Sequence, residues 1–404
     1  MTLSAASRSS DQSPLPGTGP DYPGTRRIFE PDHVAFRMSV RSFVEREILP
    51  HYPDAVEQRR IPRALWLAMG RQGLLGLAVP EAHGGSGSTD FRYSAILTEE
   101  LSRVSAAVAS AFSIQYDIVS PYLTELTTPE QRARLLPDFC SGALITAIAM
   151  TEPSGGSDLA HLRTTARETS EGWILNGSKT FITNGIGADL VIVAARTGPD
   201  QGSRGISLFA VPTDRPGFRR GRKLDKVGQP EADTAELFFD DTPVFPTDLI
   251  GEIGDGFAAM MKRLPQERIS NAISNLAHAW PILAETVAYA QERTAFGQPI
   301  GHFQHLKFQM AEMRTALDVA QAFIDECILR HTEGGLTAAE AAKAKWWSAR
   351  VQNEVIDGCV QVFGGYGYMR EYRVAQAWMD ARVTRIWAGT NEIMKEIIGR
   401  DMGL

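Results

Sequence analysis

The sequence predicts a mostly α-helical protein with a β domain in the middle of the chain, and three observations predict it. Apolar residues recur at steps of three and four in the first and last parts of the chain. Between them lie short apolar runs broken by Gly, Pro and Asp. The length of 404 residues, 43% of them hydrophobic, is enough to bury the cores of roughly two or three domains.

Residues 1–27 are rich in Ser, Pro, Gly and Asp and poor in large apolar side chains, so burial cannot repay the entropy of ordering them and a flexible tail is expected. From 28 to 147 the spacing of Phe36, Val40, Phe43 and Val44, of Leu65, Ala68 and Met69, and of Ile96, Leu97 and Leu101 predicts a helical domain. From 148 to 250 the pattern changes. An apolar run at 173–175 meets Asn176-Gly177, a hairpin-turn signal, and a second run at 180–182 meets Asn184-Gly185. Further runs at 190–195, 206–211 and 235–239 complete the expected β domain. From 251 to 404 helical spacing returns. Leu306, Met310, Met313, Leu317, Ala320, Ile324 and Cys327 advance by four and three, the seam of a bundle helix. Thr337 and Glu340 form a capping box that opens another helix. Pro281, inside the stretch 267–293, predicts a helix that is kinked or built in two pieces.

Charge and composition exclude several classes. A net charge of −7, from 41 basic and 48 acidic residues spread along the chain, provides no basic stripe for nucleic acid. Cys140, Cys327 and Cys359 are odd in number and far apart, which points to a reducing, cytoplasmic setting rather than a disulfide framework or a CxxC metal site. No run approaches the roughly eighteen apolar residues of a membrane span, and no basic start precedes an apolar run at the N-terminus, so a soluble, unprocessed chain is expected. The Rossmann, P-loop, zincin and nucleophile-elbow patterns are missing. His302 and His305 could share a helix face, but without a carboxylate or cysteine pattern beside them they suit a surface or capping role better than a metal site.

The chemistry concentrates in five segments. IAMTEPSGGSD (148–158) and NGSKTFITNG (176–185) each set a small-residue loop against a strand. Their uncovered N–H groups and the hydroxyls of Thr151, Ser157 and Thr183 suit an extended ligand with phosphates or a heteroaromatic ring, although each loop alone also reads as a solvated turn. RTAFGQPIGHFQ (293–304) offers Arg293, a forked cation suited to a pyrophosphate. QVFGGYGYMRE (361–371) carries Gly364, Gly365 and Gly367, which permit close backbone approach. DARVTRIWAGTNEI (380–393) opens a helix near Thr390.

In this order and spacing the five segments resemble the acyl-CoA dehydrogenase family across about residues 30 to 401. GRKLDKVG, ADTAELFFDD, RLPQERI and GTNEIMKEII make the long-chain branch the closest match. The resemblance implies a helical N-terminal domain, a β-barrel-like middle domain and a C-terminal four-helix bundle. It also implies FAD at a subunit interface, and hence a homodimer or homotetramer. Ile148, Ala149, Met150, Thr151, Gly156 and Ser157 would line the flavin ring, with Phe181, Ile182 and Thr183 packed against it and hydrogen-bonded to it. Phe181 stands where most members have Trp, and it keeps an aromatic face. Arg293, Gln304, Gln361, Gly364 and Gly365, from the same or a neighbouring subunit, would hold the pyrophosphate and adenine. Thr390, Asn391 and Glu392 would complete the flavin site.

Removing the α-proton of a thioester while the β-hydride leaves for a flavin requires a carboxylate on the opposite face of the substrate. In most of the family that carboxylate precedes the Gly-Thr pair near the C-terminus, where this chain has Ala388. The long-chain and isovaleryl branches carry it instead on the first long bundle helix, and Glu267 stands at that position. On its residues alone, Glu267 followed by an arginine at a helix start also reads as a favourable charge near the helix dipole. By the resemblance, the N–H of Ala388, beside Gly389, would bond the thioester carbonyl, Arg268 would place the CoA, and Ser157 would touch the thioester region. His161 and Gln376 depart from the family pattern and mark local CoA contacts that differ. Ala109, Ser110, Ala111 and Ser113, within 107–122, suggest room for a long or branched acyl chain.

The function expected is FAD-dependent α,β-dehydrogenation of an acyl-CoA to trans-2-enoyl-CoA, with electrons passed to an electron-transferring flavoprotein. Two alternatives stay open: an acyl-CoA oxidase or flavin monooxygenase on the same fold, and a flavin-free acyl-CoA-binding or scaffold protein.

Overall fold

Val40, Phe43 and Val44, spaced to share one side of a helix, are buried together with Leu65, Met69, Leu97 and Leu101 in one core, as their periodicity predicts. The computed structural model describes residues 26–198 and 202–404. Most of the expected tail lies outside the described residues. Arg26 does not behave as tail: its guanidinium pairs with Glu99 and with Asp325, Nε lying 2.9 Å from Asp325 Oδ2.

Among the described residues seven α-helices precede the sheet: α1 Pro31–Phe43, α2 Tyr52–Gln58, α3 Arg63–Arg71, α4 Phe91–Val104, α5 Ala106–Ser113, α6 Ser120–Glu125 and α7 Pro129–Ser141. Side-chain oxygens start several of them. Asp90 accepts from Arg92 N at 2.9 Å, and Ser105 from Ala107 N at 3.0 Å; each satisfies a helix-end donor that has no intrahelical partner. A π-helical turn, Ile114–Val119, joins α5 to α6.

The middle of the chain forms strands β1 Thr146–Ala149, β2 Thr165–Glu168, β3 Trp173–Thr183, β4 Leu190–Arg196, β5 Ile206–Pro212, β6 Phe218–Lys223, β7 Thr234–Val244 and β8 Leu249–Ile250. Their order is β6-β7-β3-β2-β4-β5-β8, with β1 parallel to β4. The β4 and β5 sequences are apolar almost throughout because alternate residues enter two cores. Leu190, Ile192 and Ala194 pack with Leu136 and Phe139 of α7. Val191, Val193 and Ala195 pack with Leu175 of β3 and Leu237 of β7.

Asn176-Gly177 is not a hairpin turn. β3 runs straight through it, and the pairing with β7 slips there by a bulge. Gly177 takes a φ of 148°, and a Cβ on it would collide with Thr164. Asn176 donates to Asp241 Oδ1 at 3.0 Å and accepts from Asp241 N at 2.9 Å, so the Asn-Gly pair here builds a bulge between long strands rather than a reversal. The chain does turn at the second pair, where Gly185 N bonds Ile182 O.

The C-terminal helices are α8 Gly256–Glu292, α9 Gln304–Thr332, α10 Ala338–Phe363, α11 Arg373–Ala381 and α12 Asn391–Asp401. Met313, Leu317, Ala320, Ile324 and Cys327 of α9 are buried, while Leu306 and Met310 are half-buried. Thr337 and Glu340 close the expected capping box on α10. Of the two expectations for Pro281, the two-piece helix does not occur: α8 is one continuous helix of 37 residues containing both Pro265 and Pro281. A proline inside a helix costs about 3 kcal/mol. Ile269, Ile273, Leu276, Trp280 and Leu283 are buried in one core and offset that loss, each large side chain contributing about 1.5–3 kcal/mol. Among the described residues no helix is long and apolar enough to cross a membrane.

Candidate active site

A cavity of about 590 Å³ lies where the loops after β1 and β3 meet α5, α8 and the α11–α12 connection. The loop after β1 is held by a buried ion pair. Lys179 Nζ, fully buried, lies 2.8 Å from Glu152 Oε1 and 3.1 Å from Met150 O. Glu152 also accepts from the N–H of Arg163 at 2.6 Å and of Thr164 at 2.9 Å. Burial by itself would raise this carboxyl, but Lys179 and the donors around it hold it down at about 2. Burial brings Lys179 down to about 8 against the pull of Glu152. Thr180 N bonds Thr151 O at 3.0 Å and ties the two loops together.

Beside that tie, the β3–β7 register shifts between Lys179 and Ile182. Phe181, caught in the irregularity at a φ of 59°, is turned outward and left 68% exposed on the cavity wall. Thr151, Ser157 and Thr183 share that wall, and no hydrogen bond among the described residues engages their hydroxyls. An uncovered aromatic face flanked by free hydroxyls fits a planar heteroaromatic group such as a flavin ring.

Glu267 lines the same cavity from α8. It lies eleven residues after Gly256, where the helix begins, so the helix-dipole reading does not apply to it. The side chain is buried, and its Oε1 is sealed from solvent without a hydrogen-bond partner. Burial pushes the carboxyl up to about 7, with the Asp117 carboxylate adding to the rise and Arg268, Tyr122 and Arg263 opposing it. Arg268, also buried, lines the cavity, and burial lowers its pKa despite the charge of Glu267.

A left-handed turn also lines the cavity, Ala388 at a φ of 51° and Gly389 at 87°. A non-glycine residue in that region is strained by about 1–3 kcal/mol and persists only where its surroundings hold it. Lys345, fully buried on α10, does so: its Nζ donates to Gly389 O at 2.6 Å. Thr390 caps α12 by accepting from Ile393 N at 3.2 Å. No hydrogen bond among the described residues uses the N–H of Ala388 or Gly389.

The cavity thus brings together Ile148, Met150, Thr151, Gly156, Ser157, Phe181, Ile182, Thr183, Glu267, Arg268, Ala388 and Gly389. Ala149 faces the sheet core instead, as alternation along β1 requires. Arg293, Gln304, Gln361, Gly364, Gly365 and Glu392 are exposed and away from the cavity, and Asn391 is buried with Oδ1 unpaired. A Cβ on Gly364 or Gly365 would meet nothing within this chain, so the close approach expected there is not made by the chain itself. Ala109, Ser110 and Ser113 line the cavity, whereas Ala111 is packed in a core. His161 sits outside, its Nδ1 2.8 Å from Asp158, and Gln376 bonds Asp380 at 2.7 Å. Among the described residues no His, Cys, Asp and Glu cluster suits a metal.

Sequence reasoning did not single out Asp117, Lys345 or Trp387, and Trp387 also lines the cavity. Lys345 carried a signal: it falls on the seam of buried Ala341, Ser348 and Gln352, at steps of four and three where a lysine is out of place. Asp117 stands among Ile114, Ile118 and Val119, similarly isolated in an apolar run.

Three family models match the chain: "Acyl-CoA dehydrogenase, N-terminal domain" over residues 30–143, the middle domain over 147–242 and the C-terminal domain over 254–403. The chain is 44% identical over 381 residues to the long-chain specific acyl-CoA dehydrogenase, mitochondrial, of Sus scrofa, covering 94% of this chain and 88% of that one. It is 38% identical over 369 residues to an acyl-CoA dehydrogenase of Bacillus subtilis (strain 168), covering 91% and 97%. Among solved structures, the acyl-CoA dehydrogenase from Geobacillus kaustophilus superposes with a TM-score of 0.92 at 45% identity, covering 94% of this chain and all of that one.

Proposed function

This chain belongs to the acyl-CoA dehydrogenase family of oxidoreductases, and from that premise we propose that it oxidises a long or branched acyl-CoA to the trans-2-enoyl-CoA with Glu267 as the base. The observation that carries the proposal is the placement of Glu267. A buried carboxyl raised to about 7 lines a cavity that is also lined by an uncovered aromatic ring and hydroxyls without partners. A base with a pKa near the working pH is both ionised and strong enough to take a weakly acidic proton.

When bound, FAD supplies the hydride acceptor for the β-carbon. Ile148, Met150, Thr151, Gly156, Ser157, Phe181, Ile182 and Thr183 are the residues that would hold its ring. Glu267, itself buried, takes the α-proton, and Arg268 offers a cation beside the thioester end of the acyl group. The N–H groups of Ala388 and Gly389, which make no other hydrogen bond among the described residues, can donate to the thioester oxygen and stabilise the charge that gathers there as the proton leaves.

The exposed set Arg293, Gln304, Gln361, Gly364 and Gly365 would meet the pyrophosphate and adenine across a contact with a second copy, which supports a homodimer or homotetramer. Thr390, Asn391 and Glu392 would close the flavin site at the start of α12. Three buried, unpaired cysteines agree with a reducing compartment such as the cytoplasm. The electron acceptor in this reading is an electron-transferring flavoprotein.

The test is anaerobic mixing of the yellow holoprotein with saturated acyl-CoA thioesters of graded length and branching. Bleaching of the flavin by long or branched members is expected. A protein that no thioester bleaches, or that purifies colourless and takes up no FAD, does not perform this reaction.

A further inference from the structure

Around Glu267 four side-chain polar atoms are sealed from solvent and meet no partner at good hydrogen-bond geometry: Glu267 Oε1, Asp117 Oδ2, Tyr122 Oη and Ser270 Oγ. They come from three elements, the π-helical turn, α6 and α8. Proteins rarely leave buried polar atoms unpaired, so four in one cluster call for an explanation.

Asp117 is 1% exposed, and no cation pairs with it among the described residues. Its Oδ1 accepts from Gln266 Nε2 at 2.7 Å, and its main-chain oxygen accepts from the same amide at 3.0 Å. Gln266 immediately precedes Glu267, so the Asp117 carboxylate is fastened to the very turn of α8 that carries the base.

The other charged or titratable groups around the base are few. Arg268 adjoins it, and Arg263 lies one turn earlier, 3.0 Å from Glu125 and stacked over the Tyr122 ring. Tyr116, next to Asp117, exchanges a hydrogen bond with Thr98 at 2.8 Å. Asp158, Glu396 and Arg400 stand elsewhere on the cavity wall. Arginine charges alone would make Glu267 a weaker base, and Asp117 is the buried carboxylate that opposes them.

We propose that Asp117 is a positioning residue for the base: fastened to Gln266 on the turn of α8 that carries Glu267, its negative charge sets how tightly Glu267 holds the proton taken from substrate. Burial pushes Asp117 itself up to about 6 against the pull of Ser270 and Gln266. The two carboxyls therefore titrate as an interacting pair, with the Tyr122 hydroxyl on the side of Glu267 and that of Ser270 on the side of Asp117. This inference rests on reading Glu267 as the base.

Two measurements test it. D117N keeps the shape and the Gln266 contact but removes the charge. In single-turnover bleaching by a saturated acyl-CoA, D117N should react severalfold faster than the parent at about pH 6, where more of its Glu267 is ionised. It should be slower at about pH 9, where a weaker base is at a disadvantage. A rate lowered by the same factor at every pH would mean a merely structural role and would overturn the proposal.

The second measurement is a double-mutant cycle in urea at about pH 8 with FAD saturating, comparing the parent, D117N, E267Q and the double variant. D117N should raise the unfolding midpoint more in the parent than in the E267Q background, and equal effects in both backgrounds would overturn the coupling. The cycle needs no substrate. A protein that no thioester bleaches would thus sink the functional reading, while unequal effects in the cycle would still support the pairing of the two carboxyls.

Discussion

Replacing Glu267 by glutamine should make the protein more stable at alkaline pH while abolishing its chemistry. Burial and Asp117 raise the carboxyl from its ordinary 4.5 to about 7. For a group whose pKa is higher in the folded than in the unfolded chain, the stabilising contribution is complete below about pH 4.5 and is lost as the pH climbs through 7. Ionised Glu267 therefore costs the fold up to about 3 kcal/mol near pH 8, but less than about 1 kcal/mol near pH 5. E267Q escapes that cost. Its urea midpoint, measured with FAD saturating so that cofactor binding contributes equally, should exceed the parent's at about pH 8 by an amount that shrinks severalfold at about pH 5. Bleaching by acyl-CoA should fall by about 10²–10⁴, the usual worth of a general base. A variant less stable than the parent at pH 8, or a gap of equal size at both pH values, would refute the account of Glu267 as a buried, strained carboxyl.

Two more perturbations address the walls of the same cavity. K179M leaves Glu152 buried without its cation, which should destabilise the protein by about 3–5 kcal/mol and loosen the loop after β1; a lower melting temperature and flavin lost on gel filtration are expected, and normal values of both would show that the pair does not hold that loop. K345M frees the Gly389 carbonyl, and a shift of about 1 Å in the Ala388 turn should slow bleaching about 10²-fold with little change in the acyl-CoA concentration needed for half-maximal rate; an unchanged rate would remove Lys345 from the site.

The helical regions and the sheet were legible in the sequence because each apolar period, in α1, α4 and α9 or in β4 and β5, buries the residues it marks. Asn176-Gly177 misled because the same dipeptide serves a tight turn or a bulge, and only the distant partner Asp241 decides between them. Pro281 does not split its helix because the cost of a proline is local, whereas the burial that outweighs it comes from helices far along the chain. In the site, the loops that line the cavity were readable as motifs. Asp117 and Lys345 were not, since their roles depend on Gln266 and Gly389, which only folding brings near. Arg26 escaped for the same reason: its partners Glu99 and Asp325 lie far along the chain.

The continuity of α8 has a consequence for how the site can vary. Met260, near its start, is embedded in the core shared with the sheet, whereas Ile269, Ile273, Leu276, Trp280 and Leu283 belong to the bundle core. One rod is thus socketed at both ends, and Glu267 sits between the two sockets. Adding or deleting a single residue between Met260 and Glu267 would swing the carboxyl by about 100° around the axis, and neither socket could give way to compensate. The tally of residues along this stretch is therefore as much a constraint on the site as the carboxyl it carries.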